Sequence, residues 1–146
     1  TSYIARELAN DRAPFLFNST DATRDYIHVD DVISLLTKMM ESNDRFLADV
    51  FNVGSGKSFS TPFLYDVMLQ VSGKSIDPIY DDPSKFWDKY PILFQGIPLK
   101  RERIKKEVWK ENLADNKKAM EKFGWSPVID IFKGFSGVYK FASQKT

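Results

Sequence analysis

The chain of 146 residues contains no cysteine and a single histidine, His28. Without cysteine it can form neither a disulfide framework nor a thiolate metal site. One imidazole cannot build a zinc site of several histidines, and a serine–histidine nucleophile pair would depend on His28 alone. These absences exclude the disulfide-rich and zinc-finger classes of small protein.

Net charge and long apolar runs are also missing. The 21 basic and 20 acidic residues leave a formal charge of +1, so no overall field attracts polyanions. No apolar run approaches the roughly 20 residues that a membrane helix needs. Residues 1–12 lack the charged-then-apolar order of a signal peptide. We therefore expect a cytoplasmic protein that binds neither nucleic acid nor membranes.

The chain does contain enough apolar material for a folded domain. Hydrophobic residues make up 42% of it and aromatic residues 14%. A domain of this length buries roughly two thirds of the surface that its unfolded chain exposes, so its core needs no covalent staples. The aromatic content suggests flat apolar surfaces beyond an aliphatic core.

Strand and helix patterns alternate along the chain. Apolar residues recur at helical spacing in five segments, which are residues 2–11, 30–40, 61–72, 115–123 and 131–142. Short β-rich runs predict four strands, over residues 15–17, 24–29, 50–53 and 76–80. Residues 81–112 are interpreted as an elaborated loop with a solvated helix over 100–110. The expected fold class is α/β, a single mixed α+β lobe over residues 1–146.

Several residues mark the helix ends. Ser60 before Pro62 predicts a helix start, and Gly73 predicts its end. Asp30 and Asp31 are interpreted as residues that cap the first turn of a helix. Successive helix residues do not face each other, so a paired acid–base role for these two carboxylates is the weaker hypothesis.

The run Gly54-Ser55-Gly56-Lys57-Ser58 resembles the end of a phosphate-binding loop but lacks the first glycine of that motif. That glycine would stand at position 51, which is Phe51. A dinucleotide-binding fingerprint fails as well, because Phe59 occupies the place of its third glycine. The run is therefore interpreted as a glycine turn that leaves a strand.

Other candidate residues have two interpretations each. The guanidinium of Arg24 suits phosphate oxygens, although pairing with a nearby carboxylate is the alternative. His28 is interpreted as a partly buried strand residue rather than a catalyst. The basic residues of segment 100–110 are mixed with Glu102 and Glu107, which favours a solvated face over an RNA-binding helix.

Four motifs follow one another in a fixed order. They are Arg24-Asp25-Tyr26-Ile27-His28-Val29-Asp30-Asp31-Val32, Phe51-Asn52-Val53-Gly54-Ser55-Gly56, Ala114-Asp115-Asn116-Lys117-Lys118-Ala119 and Gly124-Trp125-Ser126-Pro127. In this order the chain closely resembles the extended short-chain dehydrogenase/reductase family, the NAD(P)-dependent sugar-nucleotide epimerases and dehydratases. The resemblance covers nearly the whole chain.

The resemblance implies that this chain is the C-terminal, substrate-binding part of such an enzyme and lacks the N-terminal Rossmann half. That half would carry a glycine-rich NAD(P) loop and a catalytic Tyr-x-x-x-Lys. None of the six tyrosines here has lysine four positions later. We therefore expect NAD or NADP in the parent protein, no cofactor on this chain, and no turnover by the chain alone.

Individual roles also follow from the resemblance. Arg24 matches the arginine that contacts the diphosphate of a nucleoside-diphosphate sugar. Asn52 matches an asparagine that either lies in the substrate pocket or only orders the turn. The second phosphate-binding arginine is matched to Arg103, with Arg101 as the fallback, and Asp115 is assigned to helix capping. No catalytic and no metal-binding residue is expected.

Two other functions stay open at this point. One is a non-catalytic binding or regulatory module, and the other is a nucleic-acid-binding domain that would use segment 100–110 and the aromatic residues. In the main hypothesis, apolar surface that meets the Rossmann half should be exposed on this lobe. We therefore predict that the isolated chain self-associates.

Overall fold

Helices and three-residue strands alternate in the computed structural model, which describes residues 1–17, 22–44, 48–82, 90–95, 100, 102–103, 106 and 109–144. The helices are α1 (Ser2–Ala9), α2 (Val29–Glu41), α3 (Thr61–Ser72), α4 (Lys117–Phe123) and α5 (Ile131–Ser143), with a 3₁₀ turn at Pro91–Phe94. The strands are β1 (Phe15–Phe17), β2 (Thr23–Asp25), β3 (Ser58–Ser60) and β4 (Ile79–Asp81). This arrangement confirms the predicted mixed α/β class.

The strands form two separate pairs. Strand β1 runs parallel to β4, with Leu16 opposite Tyr80. Strand β2 runs antiparallel to β3, with Arg24 opposite Phe59. Two-stranded sheets have little stability of their own, so helix packing must hold both pairs in place.

The larger core lies between α1, α3 and α5. Its buried side chains come from these helices and from β1, and they are Ile4, Ala5, Leu8, Leu16, Leu64, Tyr65, Val67, Met68 and Phe135. The hydroxyl of Tyr65 donates to the carbonyl of Ile76 at 2.6 Å, which satisfies its polar end. Burial raises the pKa of Tyr65, so its phenol stays neutral at physiological pH.

The predicted ends of helix α3 are confirmed. Ser60 is its N-cap, and its hydroxyl accepts a hydrogen bond from the backbone N–H of Phe63. Gly73 ends the helix in the left-handed conformation, at φ 66°. Gly124 ends α4 in the same way, at φ 56°. Glycine adopts this conformation without the steric cost that a β-carbon imposes.

The predicted strand over 24–29 is wrong from Tyr26 onward. Strand β2 ends at Asp25, and α2 begins at Val29. Tyr26 and His28 are therefore not strand residues, as the sequence had suggested. His28 is the N-cap of α2, and its Nδ1 accepts from the N–H of Asp30 at 3.2 Å. The local hydrogen bond of this cap outweighs the β preference of residues 26–28.

Other predicted boundaries also change. Residues 50–53 belong to neither described pair of strands, because a β-rich run becomes a strand only beside a partner ladder. Strand β4 begins three residues later than predicted, at Ile79, and β3 has no clear sequence signal. Helix α1 ends at Ala9 rather than at residue 11, with Asp11 in the left-handed region at φ 56°. Half of the residues of the predicted loop and helix over 81–112 lie outside the described residues.

The start of α4 also differs from the prediction. Its N-cap is Asn116 rather than Asp115. The Asp115 carboxylate accepts at 3.0 Å from the N–H of Lys117, the first residue of the helix. A short acidic side chain can bond the backbone two residues ahead in an Asx turn, and this is the geometry adopted here.

A second, smaller core lies between α2, α4 and the segment after α4. It contains Leu35, Ala119 and Trp125, each at most 2% exposed.

None of the helices in the described ranges is long and apolar enough to cross a membrane.

Asp31 anchors the second core, and its role differs from the predicted capping. The side chain is 1% exposed, and its two carboxylate oxygens accept from the N–H groups of Val128 and Ile129 at 3.0 and 3.1 Å. The indole N–H of Trp125 donates to the carbonyl of Asp31 at 3.1 Å and to Ser34 Oγ at 2.9 Å. A carboxylate with two backbone donors can be buried at acceptable cost.

We expect Asp31→Ala to lower the free energy of unfolding by about 3 kcal/mol, because it leaves two backbone donors without their charged acceptor. Asp30→Ala is the matched control, since Asp30 lies in the same helical turn but its side chain is 68% exposed. That change should cost less than about 1 kcal/mol. Urea unfolding of both variants measures the difference, and equal losses would contradict the anchoring role.

Candidate functional site

Three segments that are distant in the sequence meet at the carboxylate of Asp25. Its Oδ1 accepts from both the N–H and the hydroxyl of Ser55, each at 2.6 Å. Its Oδ2 accepts from the N–H groups of Gly56 and Ala114, each at 3.2 Å. One side chain therefore holds strand β2 against the glycine turn and against the segment before α4.

Asn116 holds the same glycine turn from another side. Its side-chain oxygen accepts from the N–H of Gly54 at 2.9 Å, and its side-chain nitrogen donates to the carbonyl of Gly54 at 2.6 Å. Asn116 is only 7% exposed, so both bonds are sheltered from water. We call the contacts among Asp25, Asn116 and residues 54–56 the Asp25 network.

Gly54 lies too close to its neighbours to carry a side chain. A β-carbon there would stand 2.4 Å from Oδ2 of Asp25 and 2.5 Å from the β-carbon of Ala114. Both distances are far below van der Waals contact. The glycine at this position is required because the three segments pack so tightly.

The glycine turn uses its N–H groups within the protein. Those of Gly54, Ser55 and Gly56 donate to Asn116 or Asp25. A phosphate-binding loop needs such donors to point at its ligand. The arrangement agrees with the rejection of a phosphate-binding or dinucleotide-binding loop at this turn.

Arg24 precedes Asp25 on β2, and neighbouring strand residues point to opposite sides. Its Nη1 donates to the carbonyl of Thr23 at 2.9 Å and forms a further short contact with the carbonyl of Lys110. The N–H of Asn112 donates to the carbonyl of Thr23 at 3.0 Å, which brings the segment before α4 alongside the strand. The guanidinium is therefore partly buried and oriented by main-chain acceptors.

The other predicted binding residues have different surroundings. Asn52 is exposed and lies two residues before Gly54, so it is near the Asp25 network in the chain. Arg103 is exposed, and its N–H donates to the carbonyl of Lys100 at 2.9 Å. None of the contacts of the described residues links Arg103 to the Asp25 network. Arg101 lies outside the described residues.

Tyr26 lies beside the network and belongs to the larger core rather than to a strand. Its ring meets that of Phe135 edge-on, with 6.4 Å between the ring centres. Burial raises the pKa of Tyr26, so its hydroxyl stays protonated at physiological pH. Among the described residues, no group of three or more metal-ligating side chains is close enough to hold a metal ion.

Sequence reasoning missed the residues that organise this site. In the sequence, Asp25 and Asn116 stand out only as members of motifs, and Ser55 only as part of a glycine run. The available signal was a short carboxylate or amide within these motifs, Asp25 in the first and Asn116 in the third. Such residues commonly satisfy the backbone of irregular segments.

The family model for GDP-mannose 4,6 dehydratase matches residues 1–137 of the chain. The chain belongs to this family. Membership confirms the predicted resemblance to the extended short-chain dehydrogenases/reductases and to the C-terminal part of such an enzyme.

Curated relatives of this family member include two proteins named as epimerases. A protein of Methanocaldococcus jannaschii, provisionally named a UDP-glucose 4-epimerase, is 30% identical over 136 residues, which is 93% of this chain and 36% of the relative. UDP-glucose 4-epimerase 1 of Oryza sativa is 29% identical over 117 residues, or 75% of this chain and 31% of the relative. The chain thus spans about a third of the length of these relatives.

Solved structures of similar fold cover almost the whole chain. UDP-glucuronic acid 4-epimerase of Bacillus cereus, solved with NAD, superposes with a TM-score of 0.73 at 19% identity, over 99% of this chain and 39% of that one. UDP-glucose 4-epimerase of Thermotoga maritima, solved with UDP-glucose, superposes with a TM-score of 0.71 at 21% identity. The match covers 97% of this chain and 38% of that one. These likenesses establish the fold.

We expect Gly54→Ala to lower the free energy of unfolding by about 2 kcal/mol or more, because the new methyl group overlaps Asp25 and Ala114. Gly137→Ala is the matched control, since a β-carbon there meets no atom within 4 Å. In the interior of α5 it should leave stability unchanged or raise it by about 0.5–1 kcal/mol. Losses of similar size in urea unfolding of the two variants would argue against the tight packing at the glycine turn.

Proposed function

We propose that this chain is the substrate-binding lobe of a cytoplasmic, NAD(P)-dependent sugar-nucleotide enzyme. In this proposal the lobe holds the nucleoside diphosphate, and an N-terminal Rossmann half of the same enzyme holds NAD or NADP and supplies the catalytic tyrosine and lysine. Family membership and the ligands named for the solved relatives, NAD and UDP-glucose, support it. The single observation that carries the proposal is the placement of Arg24 beside the Asp25 network.

Arg24 has the chemistry and the support that a diphosphate site requires. A guanidinium presents donors in a planar fork that matches phosphate oxygens. The carbonyls of Thr23 and Lys110 orient it, and the four hydrogen bonds to neighbouring Asp25 hold strand β2 in place. A side chain held in this way loses little conformational entropy when it binds a ligand.

The remaining binding roles complete the proposal. Asn52 would contact the nucleotide from the exposed end of the segment before the glycine turn. Arg103 would supply the second phosphate contact, and Arg101 is the alternative residue for that contact. Both arginines belong to the segment over residues 100–110, so binding through either of them would bring that segment to the ligand held by Arg24.

The described residues of this chain do not fit NAD. Dinucleotide binding relies on backbone N–H groups at a glycine-rich turn, and those of the turn here are already used by Asp25 and Asn116. The proposal therefore assigns cofactor binding and chemistry to the Rossmann half. The lobe contributes binding energy remote from the reacting sugar, which supports catalysis by positioning it. Alone it should not turn over substrate.

A non-catalytic binding or regulatory module is the main rival. The reading frame of the source gene separates the two, because the enzyme requires a glycine-rich strand–helix start and a Tyr-x-x-x-Lys before this chain. Their absence would favour the rival. A nucleic-acid-binding role predicts steep salt dependence of RNA binding, which a net charge of +1 does not favour.

In the isolated chain we also propose self-association, because many large apolar side chains are exposed on it. Light scattering over a range of concentrations should show a mass that rises above that of one chain. A strictly monomeric chain at high concentration would contradict this expectation.

We expect Arg24→Ala in the parent enzyme to weaken nucleoside diphosphate binding by about tenfold or more, because a charge-assisted contact is lost. Arg24→Lys should have an affinity between those of the unaltered enzyme and of Arg24→Ala, since lysine keeps the positive charge but lacks the planar fork of donors. Calorimetric titration with several nucleoside diphosphates measures these affinities.

Arg12→Ala is the matched control, because Arg12 is an exposed arginine paired with Glu7 at 2.8 Å. Its affinity should equal that of the unaltered enzyme. No binding of any nucleoside diphosphate by the parent enzyme would count against the proposal. So would an affinity that Arg24→Ala leaves unchanged.

A further inference from the structure

Residues 110–114 run alongside strand β2, and we call them the edge segment. The main-chain N–H of Asn112 donates to the carbonyl of Thr23 at 3.0 Å. Two residues earlier, the carbonyl of Lys110 accepts from Nη1 of Arg24. The edge segment therefore supplies one of the two carbonyls that orient the guanidinium proposed to bind the diphosphate.

A pair of hydroxyl groups holds Asn112 through its carbonyl group. Ser58 Oγ lies 2.9 Å from the carbonyl oxygen of Asn112 and 2.7 Å from Oγ1 of Thr23. A carbonyl oxygen only accepts, and a hydroxyl has a single proton, so Ser58 donates to Asn112 and accepts from Thr23. Both main-chain polar groups of Asn112 are therefore bonded to the β2–β3 pair.

The register of the strand pair brings the two hydroxyls together. Asp25 is directly opposite Ser58, so Thr23, two residues before Asp25, is a diagonal neighbour of Ser58 on the same face. Asp25 also binds the edge segment from this face, because its Oδ2 accepts from the N–H of Ala114 at 3.2 Å. Arg24 reaches the edge segment from the other side of the strand.

We propose that Ser58 is a positioning residue for binding of the nucleoside diphosphate. It fixes Asn112, which fixes the carbonyl of Lys110, and that carbonyl orients the guanidinium of Arg24. A guanidinium that is already oriented loses less side-chain entropy when it binds phosphate oxygens. The inference rests on the proposed function and adds to it a residue that acts through Arg24 rather than by contact with the ligand.

A purely structural role for Ser58 is the alternative to be tested. Without the Ser58 hydroxyl, the ladder still joins β2 to β3, and Asp25 still binds Ala114 and the glycine turn. Ser58→Ala should therefore fold. What it loses is the bond to Asn112, so the positioning role predicts a loss of ligand affinity that depends on Arg24.

A double-mutant cycle in the parent enzyme separates the two roles. Calorimetric titration with UDP, GDP and dTDP as probes gives the affinities. Ser58→Ala should weaken nucleoside diphosphate binding by about threefold to fivefold, which corresponds to one neutral hydrogen bond. In an Arg24→Ala background the same change should alter the affinity by less than about 1.5-fold, because no guanidinium remains to be oriented.

Two further variants serve as controls. Ser58→Thr keeps the hydroxyl and should bind within about twofold of the unaltered enzyme. Ser136→Ala is the matched control, because the Ser136 hydroxyl also donates to a main-chain carbonyl, that of Phe132 at 2.8 Å, and lies on α5. Its affinity should equal that of the unaltered enzyme.

A second measurement needs no ligand. Amide hydrogen exchange of residues 110–114 in the ligand-free parent enzyme reports local opening of the edge segment. Ser58→Ala should speed exchange at Asn112 by about threefold or more, whereas Ser136→Ala should not change it. Unchanged exchange at Asn112 in Ser58→Ala would overturn the inference, because Ser58 would then not hold the edge segment.

The titration distinguishes failure of this inference from failure of the proposed function. Equal losses from Ser58→Ala with and without Arg24 would give Ser58 a role independent of Arg24 and would overturn the inference. An affinity that Arg24→Ala weakens and Ser58→Ala leaves unchanged would overturn it as well, while the proposed function would stand. Binding that is absent or independent of Arg24 would reject the proposed function and this inference with it.

Discussion

The lobe depends on one carboxylate, that of Asp25. It accepts four hydrogen bonds from two segments that follow it by about thirty and ninety residues in the chain. It thereby joins strand β2, the glycine turn and the segment before α4 at one side chain. Asn116 completes the arrangement by bonding both backbone groups of Gly54. Asp31 plays the equivalent part in the second core, where it holds the segment after Trp125 to the start of α2.

These two carboxylates explain how four short motifs that lie far apart in the sequence belong to one structure. The first three motifs supply either an anchor or the backbone groups that an anchor binds. The fourth supplies the buried Trp125 and ends directly before Val128, whose N–H donates to Asp31. Most motif residues are therefore fixed by packing and hydrogen bonding, whatever the ligand. Arg24 differs, because its neighbour Asp25 serves the fold while its own guanidinium extends from the other side of the strand. That division of roles within two adjacent residues places a cation on a rigid support, and this is the cation that we propose for phosphate binding.

The sequence predicted those elements whose signals are local. The Ser60 cap, the Gly73 stop and the apolar spacing of α5 all depend on residues within a few positions of each other. It failed where distant segments decide the outcome. Residues 50–53 have strand composition but no ladder within the two described strand pairs, and Asp31 resembles a cap until Val128 and Ile129 approach it. The four acceptor contacts of Asp25 could not be predicted, because no local pattern shows which turns will meet.

The central claim is that this lobe binds the diphosphate of a sugar nucleotide through Arg24, while the glycine turn serves the fold. A crystal structure of the parent enzyme with a bound nucleoside diphosphate tests it most directly. The account predicts phosphate oxygens within hydrogen-bond distance of the Arg24 guanidinium, with Asp25 still bonded to Ser55 and Gly56. A diphosphate bound instead to the N–H groups of residues 54–56, with Arg24 away from it, would contradict the account.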